Sequence, residues 1–136
     1  MTKIGLTGYG GHIGQELMQY KDVVPLACDV RNRDDVEMAV RNVRPDLIVH
    51  LASISDVDRC EKKENENLVK STNVLGTMNV CEVAEKYGCG MVLMSTAHVF
   101  DGKWGNYKEN NRTNPKNFYG FTKMAAEGFR TVYPFM

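Results

Sequence analysis

Short apolar runs alternate with amphipathic segments along this chain. One segment repeats its apolar residues at the spacing of a single buried helical stripe, and these residues are Val36, Ala39, Val40 and Val43. Leu47–Ala52 is instead an almost unbroken apolar run, as is typical of parallel strands covered on both faces. The alternation of strands and helices predicts a right-handed α/β fold built on a parallel sheet.

Proline and glycine mark where several of these elements end. Pro25 predicts that the second strand is irregular or lies at a sheet edge. Pro45 ends the second helix at Arg44, because a residue before proline avoids the α region, and Gly88 ends the third. The predicted strands are Lys3–Thr7, Val23–Cys28, Leu47–Ala52 and Met91–Met94. The predicted helices are Ile13–Tyr20, one capped by Asp34 or Asp35, Asn65–Tyr87, and one from Asn114-Pro115 to about Val132 that follows a polar loop at Asp101–Asn114.

The composition is that of one globular domain. The chain has 136 residues, with 17 Lys+Arg against 17 Asp+Glu, and 43% of its residues are hydrophobic. A net charge of zero argues against a nucleic-acid-binding surface. No apolar run approaches the ~20 residues of a membrane span, and the amino terminus lacks a signal peptide's features. We therefore expect a cytoplasmic protein with one domain over residues 1–136.

The four cysteines are scattered along the chain at Cys28, Cys60, Cys81 and Cys89. No pair has the spacing of a CxxC redox or zinc motif. We therefore expect reduced thiols that act as small buried hydrophobic residues, and no metal site.

Three glycines follow the first strand and open the first helix, at Gly8, Gly11 and Gly14. In a dinucleotide-binding turn, the first glycine permits a tight turn, the second lets the backbone approach a pyrophosphate, and the third lets the helix pack on the sheet. Free amides at the start of the helix also favour an anionic ligand. An ordinary glycine turn is the alternative, and the surrounding strand and helix favour the dinucleotide site.

Asp29 lies 21 residues after Gly8, at the end of the second predicted strand. A carboxylate at this place binds the ribose hydroxyls of adenosine and repels a 2′-phosphate, which favours NAD over NADP. Arg31 and Arg33 lie just beyond and favour NADP. The alternative is that Asp29 only caps the following helix.

Tyr119 and Lys123 are four residues apart on the last predicted helix and therefore share one face. The ordinary pKa of tyrosine, about 10, is too high for ready proton exchange at neutral pH. A positive charge about 4 Å away is worth about 4 kcal/mol at an effective dielectric near 20, or about three pKa units. We therefore expect Lys123 to lower the pKa of Tyr119, although the same spacing is common for two solvated side chains.

Polar residues follow the Met91–Met94 strand at Ser95, Thr96 and His98. The carboxyl ends of parallel strands are where ligands bind in such sheets. A hydroxyl at this position would hold a substrate carbonyl beside the phenol of Tyr119.

Together these motifs resemble the extended short-chain dehydrogenase/reductases, and most closely their dTDP-4-dehydrorhamnose reductase branch, which acts on nucleotide sugars. The matching segments are TGYGGHIG at 7–14, CDV at 28–30, RPDLIVHLA at 44–52, STAHVFDG at 95–102 and YGFTK at 119–123. The resemblance implies a Rossmann-like, doubly wound parallel sheet that binds NAD or NADP.

The resemblance also implies the roles of individual residues. Thr96, Tyr119 and Lys123 would form the catalytic triad, in which Tyr119 donates a proton to a ketone oxygen as NAD(P)H delivers hydride to carbon. Lys123 would also hold the nicotinamide ribose. The other implied cofactor contacts are Gly11, His12 and Ile13 at the pyrophosphate, with Gly8 and Gly14 of the same turn, Asp29 and Val30 at the adenine, and Leu51, Ala52 and Ser53 in the strip beside the cofactor.

Two features depart from the family pattern. Ala97 and His98 stand where the branch usually has Asp and Tyr, on the substrate side, so His98 is either a substrate donor or a structural histidine. The segment before Asp29 is short, as if one family strand were missing or merged, in which case Asp29 contacts adenine rather than ribose.

The resemblance predicts an NAD(P)H-dependent reductase of a keto group on a nucleotide-activated sugar. The chain stops about ten residues after the Tyr119–Lys123 face, whereas the resembling enzymes continue into further strands and a substrate-binding lobe, so we expect a truncated sheet. The alternatives are a non-catalytic dinucleotide-binding or regulatory subunit, and a fragment completed by a second chain. A wide apolar arc at Met78–Ala84 predicts either a homodimer or ordinary two-sided burial.

Overall fold

The computed structural model describes residues 1–136 and has a four-stranded parallel sheet with flanking helices. The strands are β1 (Ile4–Thr7), β2 (Val23–Pro25), β3 (Leu47–His50) and β4 (Gly90–Leu93). The helices are α1 (His12–Leu17), α2 (Arg33–Val43), α3 (Val57–Glu61), α4 (Glu66–Lys70), α5 (Gly76–Tyr87) and α6 (Phe118–Glu127). A π-helical turn at Ser71–Leu75 joins α4 to α5, and 3₁₀ turns lie at Lys63–Asn65, Ala97–Val99 and Gly128–Thr131. No helix has the length and apolar character needed to cross a lipid bilayer.

The strand order β2-β1-β3-β4 confirms the predicted parallel, Rossmann-like sheet. Ile4 of β1 pairs with Val23 of β2 on one side and with Leu47 of β3 on the other. The chain thus changes direction across the sheet between β1 and β3. In open α/β sheets a ligand crevice forms at such a switch point, beyond the carboxyl ends of the strands. Here these strand ends are Thr7 of β1 and His50 of β3.

The main core lies where α2 and α5 pack together against the sheet. The predicted stripe of α2 is confirmed, because Val36 and Val40 are fully buried and Ala39 and Val43 pack against them. The apolar arc of α5 is buried within this one chain, so two-sided burial accounts for it; its buried members are Val80, Cys81, Val83 and Ala84.

All four cysteines are free thiols, as expected, and three of them are buried. Burial raises the pKa of Cys28 and of Cys81 to about 11. Because the thiolate is the reactive form of cysteine, these two thiols are inert at neutral pH.

Several predicted boundaries are wrong by a few residues. β2 ends at Pro25 rather than Cys28 and lies at the sheet edge, as its proline indicated. The cap of α2 is Asn32, whose side chain accepts from the backbone N–H groups of Asp34 and Asp35, the two residues predicted to cap it. Arg44 ends α2 in the left-handed region at φ 51° rather than in the extended region.

The last helix begins at Phe118, not at Pro115. Its cap is Asn117, whose side-chain oxygen accepts from the Gly120 N–H at 2.7 Å. Asn114 does not serve as the cap, because its side chain donates to Asp101 at 3.1 Å and its backbone N–H donates to the Val99 carbonyl. Anchoring of Asn114 to the preceding loop therefore moves the start of the helix.

The helical segment predicted at Asn65–Tyr87 is present, but the π-helical turn divides it. The short helix α3 was not predicted from the sequence. Asp56 caps α3 by accepting from the Arg59 N–H at 2.9 Å.

Candidate active site

The glycine turn packs directly on the backbone that follows β3. Gly8 has φ +68°, and a Cβ atom there would lie 2.6 Å from the Ala52 nitrogen and 2.8 Å from the Leu51 carbonyl carbon. A Cβ atom on Gly14 would lie 2.4 Å from the Gly8 carbonyl oxygen. Only glycine fits at these two positions, so the structure brings the turn together with the Leu51–Ala52 strip.

The outer side of the same turn is open. A Cβ atom on Gly11 would have one neighbour within 4 Å, the Gly8 carbonyl oxygen at 3.4 Å. Gly11 begins α1 without any side-chain cap, and His12 and Ile13 are exposed. The fold itself therefore permits a side chain at position 11, and the space beside the free amides suits a phosphate.

Asp29 lies beyond β2 as a half-exposed carboxylate. It accepts from the side chain of Arg31 at 2.6 Å and from the Arg31 N–H at 3.0 Å, and these hydrogen bonds lower its pKa. Asp29 is not the cap of α2, so the capping alternative is wrong. Arg33 is not free either, because Glu82 and Glu37 bind its guanidinium.

Val30 is the one predicted cofactor contact with a side chain in the main core, where it is 5% exposed. Its carbonyl oxygen accepts from the side chain of Asn79 at 2.9 Å. A Cβ atom on Gly76 would lie 2.8 Å from a Val30 methyl group. Val30 therefore holds the amino-terminal end of α5 against the segment that follows β2.

Tyr119 and Lys123 are buried on successive turns of α6, with 8% and 3% of their surfaces exposed. Thr96 follows β4, and its side chain lies beside the phenol of Tyr119, whose pKa it lowers. Burial of the phenol has the larger, opposite effect, so the pKa of Tyr119 is raised above 10. The expectation that Lys123 lowers the pKa of Tyr119 is therefore wrong for this structure.

Lys123 does not contribute to that pKa, and its own charged form is disfavoured by burial. Burial lowers the pKa of Lys123 to about 8, and only the charge of Glu127 opposes this effect. The carboxylate of Glu127 is held by a hydrogen bond from the Ser95 hydroxyl. The Lys123 ammonium forms no ion pair with any carboxylate of the chain, so it remains available to an added group.

Gly120 is a site residue that the sequence analysis missed. A Cβ atom there would lie 2.2 Å from the His98 carbonyl oxygen, so the Thr96–His98 segment approaches Tyr119 only because position 120 is glycine. Glycine is costly inside a helix, and its place between Tyr119 and Lys123 was the available signal of close packing.

His98 is exposed and lies at the edge of the Tyr119 ring, with the ring centroids 5.8 Å apart. Asn117 uses its side-chain oxygen to cap α6, so its amide group donates to Nδ1 of His98 at 3.0 Å. The neutral His98 ring therefore has its proton on Nε2. His98 is thus an exposed ring whose Nδ1 is held by Asn117.

A cavity of about 870 Å³ runs along the outer side of β4. It meets the candidate site only at Ser95, Thr96 and Ala97, and neither the glycine turn nor Tyr119 lines it. The candidate site therefore lies beside this cavity, and Thr96 is the member of the predicted triad that lines it.

Comparisons with known proteins show similarity over almost the whole chain. Residues 2–131 match a protein family described as the RmlD substrate binding domain. The chain is 31% identical to dTDP-4-dehydrorhamnose reductase of Aggregatibacter actinomycetemcomitans over 97% of this chain and 47% of that protein. It is 32% identical to the spore coat polysaccharide biosynthesis protein SpsK of Bacillus subtilis over 93% of this chain and 47% of that protein.

A solved structure is also similar. The dTDP-4-dehydrorhamnose reductase of Bacillus anthracis, crystallised in complex with NADP, superimposes with a TM-score of 0.89 at 29% identity. The superposition covers 97% of this chain and 50% of that one. The chain therefore spans about half the length of the relatives that it matches.

Proposed function

This chain belongs to the family of the RmlD substrate binding domain, and we propose that it is the NAD(P)H-binding half of a reductase acting on a keto group of a nucleotide-activated sugar. The main support is the burial of Tyr119 and Lys123 on one face of α6, with the Thr96 side chain beside the phenol. A hydroxyl that follows β4, with a phenol and an unpaired ammonium on the neighbouring helix α6, suits proton transfer to a carbonyl oxygen.

The cofactor, NAD or NADP in its reduced form, supplies hydride when bound. Its pyrophosphate would lie on the open side of the glycine turn, at Gly11, His12 and Ile13. The backbone that would lie beside it is Leu51–Ser53, in which Leu51 and Ala52 pack against Gly8 of the turn. Asp29 and Val30 would lie at the adenosine, and the whole of residues 1–136 would form one cofactor-binding domain.

Tyr119 would be the proton donor. Burial keeps its phenol protonated at neutral pH, which is the form that a donor requires. As hydride reaches the carbonyl carbon, the phenol O–H bond breaks and its proton moves to the carbonyl oxygen, which gives an alcohol and a phenolate. The Thr96 hydroxyl, whose hydrogen bond lowers the pKa of Tyr119, would stabilise that phenolate, and the Lys123 ammonium would hold the nicotinamide ribose.

His98 would be the substrate donor. Its exposed ring lies at the edge of Tyr119, and Asn117 occupies its Nδ1. The remaining Nε2–H group would donate to the sugar nucleotide, which is the more specific of the two roles that the sequence left open.

The experiment follows oxidation of NADH and NADPH by their absorbance in the presence of dTDP-linked keto sugars. Turnover by the chain, with loss of turnover but not of cofactor binding in Tyr119→Phe, would support the proposed reduction. Turnover that survives in Tyr119→Phe would contradict the role of Tyr119.

A second candidate is a dinucleotide-binding subunit without catalysis of its own. One observation favours it: Ala97-His98 departs from the family pattern on the substrate side. Cofactor binding without turnover on any sugar nucleotide would support this second candidate, and addition of a second chain that restores turnover would support a split enzyme.

A further inference from the structure

Five buried polar residues are joined in one series of hydrogen bonds inside the protein, in which Asn73 takes part through its backbone carbonyl on one side and its side-chain amide on the other. Each is at least 99% buried, and they are Thr7, His50, Thr77, Asn73 and Thr122. No buried polar side-chain atom in the protein lacks a hydrogen-bond partner. Because an unpaired polar group in the core is costly, this series of hydrogen bonds fixes the relative positions of the helices and strands that it joins.

The bonds at one end determine the state of the His50 ring. Thr77 donates its only hydroxyl proton to the Asn73 carbonyl at 2.8 Å, so it accepts from Nε2 of His50 at 3.1 Å. Nδ1 of His50 is therefore unprotonated and accepts from the Thr7 hydroxyl at 2.6 Å. Thr7 in turn accepts from the Ala52 N–H at 3.2 Å, within the backbone strip that contacts Gly8.

The bonds at the other end reach the helix of Tyr119. The Asn73 amide group donates to the Ile54 carbonyl at 3.0 Å and to the Thr122 hydroxyl at 3.1 Å. Thr122 donates to the Tyr119 carbonyl at 2.8 Å. Asn73 belongs to the π-helical turn, and such turns occur frequently at functional sites.

We propose that His50 is a positioning residue that joins the backbone beside the glycine turn, through Thr7, to the α6 helix of Tyr119 and Lys123, through Thr77, Asn73 and Thr122. This inference rests on the proposed function only in the part that concerns cofactor binding. The geometry of the bonds stands without it.

The neutral ring is the only form of His50 that satisfies these bonds. Burial, together with the charge of Lys123, lowers the pKa of His50 to about 3, so the ring stays neutral throughout the neutral range. A doubly protonated ring would place a second donor against the Thr7 hydroxyl, which would then lose its acceptor.

The test is a double-mutant cycle on the two ends of this series of hydrogen bonds, Thr7→Val and Thr122→Val. The measured quantity is the Kd for NADH. Valine removes each hydroxyl at nearly constant volume. We expect each single variant to weaken binding about tenfold, and the double variant to bind no more weakly than the weaker single variant. A double variant weakened about 100-fold would show two independent sites and would overturn the proposal.

Thr72→Val is the matched control. The Thr72 hydroxyl donates to the Leu68 carbonyl at 2.8 Å, next to Asn73 in sequence but outside the chain of bonds. We expect its Kd for NADH to equal that of the wild type, and a loss of affinity equal to that of Thr7→Val would overturn the proposal.

Two further measurements do not depend on a bound cofactor. If the wild type binds neither NADH nor NADPH, the proposed function fails, and amide exchange in Thr7→Val tests the positioning. Faster amide exchange at Ile54 as well as at Ala52 supports the positioning role, and faster exchange at Ala52 alone overturns it.

If the valine variants do not fold, ¹⁵N NMR of the His50 ring in the wild type decides. A neutral ring protonated at Nε2 supports the proposal, and a proton at Nδ1 overturns it.

Discussion

A Cβ atom at position 120 would lie 2.2 Å from the carbonyl oxygen of His98. Gly120→Ala should therefore move α6 away from the Thr96–His98 segment, because a backbone oxygen cannot yield as a flexible side chain can. We expect a loss of about 1–3 kcal/mol in the free energy of unfolding, the usual cost of overpacking, measured by urea denaturation.

Gly128→Ala is the matched control for that change. Gly128 follows the same helix, and a Cβ atom there has nothing within 4 Å. Its φ of −59° suits alanine, so we expect unchanged or slightly higher stability. Equal destabilisation by the two substitutions would contradict the account of Gly120.

The buried Lys123 should lower the free energy of unfolding at neutral pH. Its pKa falls from an ordinary 10.5 to about 8 in the folded state, so between those pH values the unfolded chain binds more protons than the folded one. Stability should therefore rise as the pH increases from 8 to 10.5. Lys123→Met should remove this rise and stabilise the protein at pH 7 by up to about 3 kcal/mol.

Urea denaturation at several pH values measures this effect. The exposed Lys116→Met is its control and should change stability by less than about 0.5 kcal/mol. Unaltered stability of Lys123→Met at pH 7 would mean that burial does not penalise the ammonium.

Asp29 should set the preference between the two cofactors. Its carboxylate repels a 2′-phosphate, and Arg31 is the cation bound to it. We expect Asp29→Asn to raise the affinity for NADPH relative to NADH about tenfold, which corresponds to about 1.4 kcal/mol. Fluorescence titrations with both cofactors give the ratio. Arg33→Gln is the control and should leave the ratio of the NADPH and NADH affinities unchanged, because Glu82 and Glu37 already bind Arg33. An unchanged ratio in Asp29→Asn would contradict a position of Asp29 beside the 2′-phosphate of NADPH.

His98 should act on substrate rather than on cofactor. In His98→Phe the ring contact with Tyr119 is kept while the Nε2–H donor is lost. We expect KM for the sugar nucleotide to rise about tenfold or more, the loss of roughly one hydrogen bond, with an unchanged Kd for NADH. A changed Kd with an unchanged KM would assign His98 to the cofactor side.

The sequence predicted those parts of the fold that depend on local pattern. The apolar spacing in α2 was enough to predict the burial of Val36 and Val40. The glycine spacing likewise predicted the turn that packs on Ala52. The start of α6 was missed because Asn114 and Asn117 are both good caps, and only the tertiary bond to Asp101 decides between them.

The contacts made inside the site could not be predicted in the same way. His50 is one polar residue in an apolar strand, and its partners Thr7 and Thr77 are 43 and 27 residues away in sequence. The pKa of Tyr119 was mispredicted because spacing reports the neighbouring charge of Lys123 but not the burial of the phenol. Both depend on how distant segments pack.

Binding of NADH and NADPH to Gly11→Val, compared with the wild type by fluorescence titration, tests the central claim most directly. A Cβ atom at position 11 would have only the Gly8 carbonyl oxygen within 4 Å, at 3.4 Å. We therefore expect the variant to keep the wild-type circular dichroism spectrum while its side chain fills the space proposed for the pyrophosphate. We expect the wild type and the remote control Gly105→Ala to bind cofactor, and folded Gly11→Val to lose at least tenfold in affinity, or about 1.4 kcal/mol. Equal affinity in Gly11→Val and the wild type would contradict a cofactor site at the glycine turn.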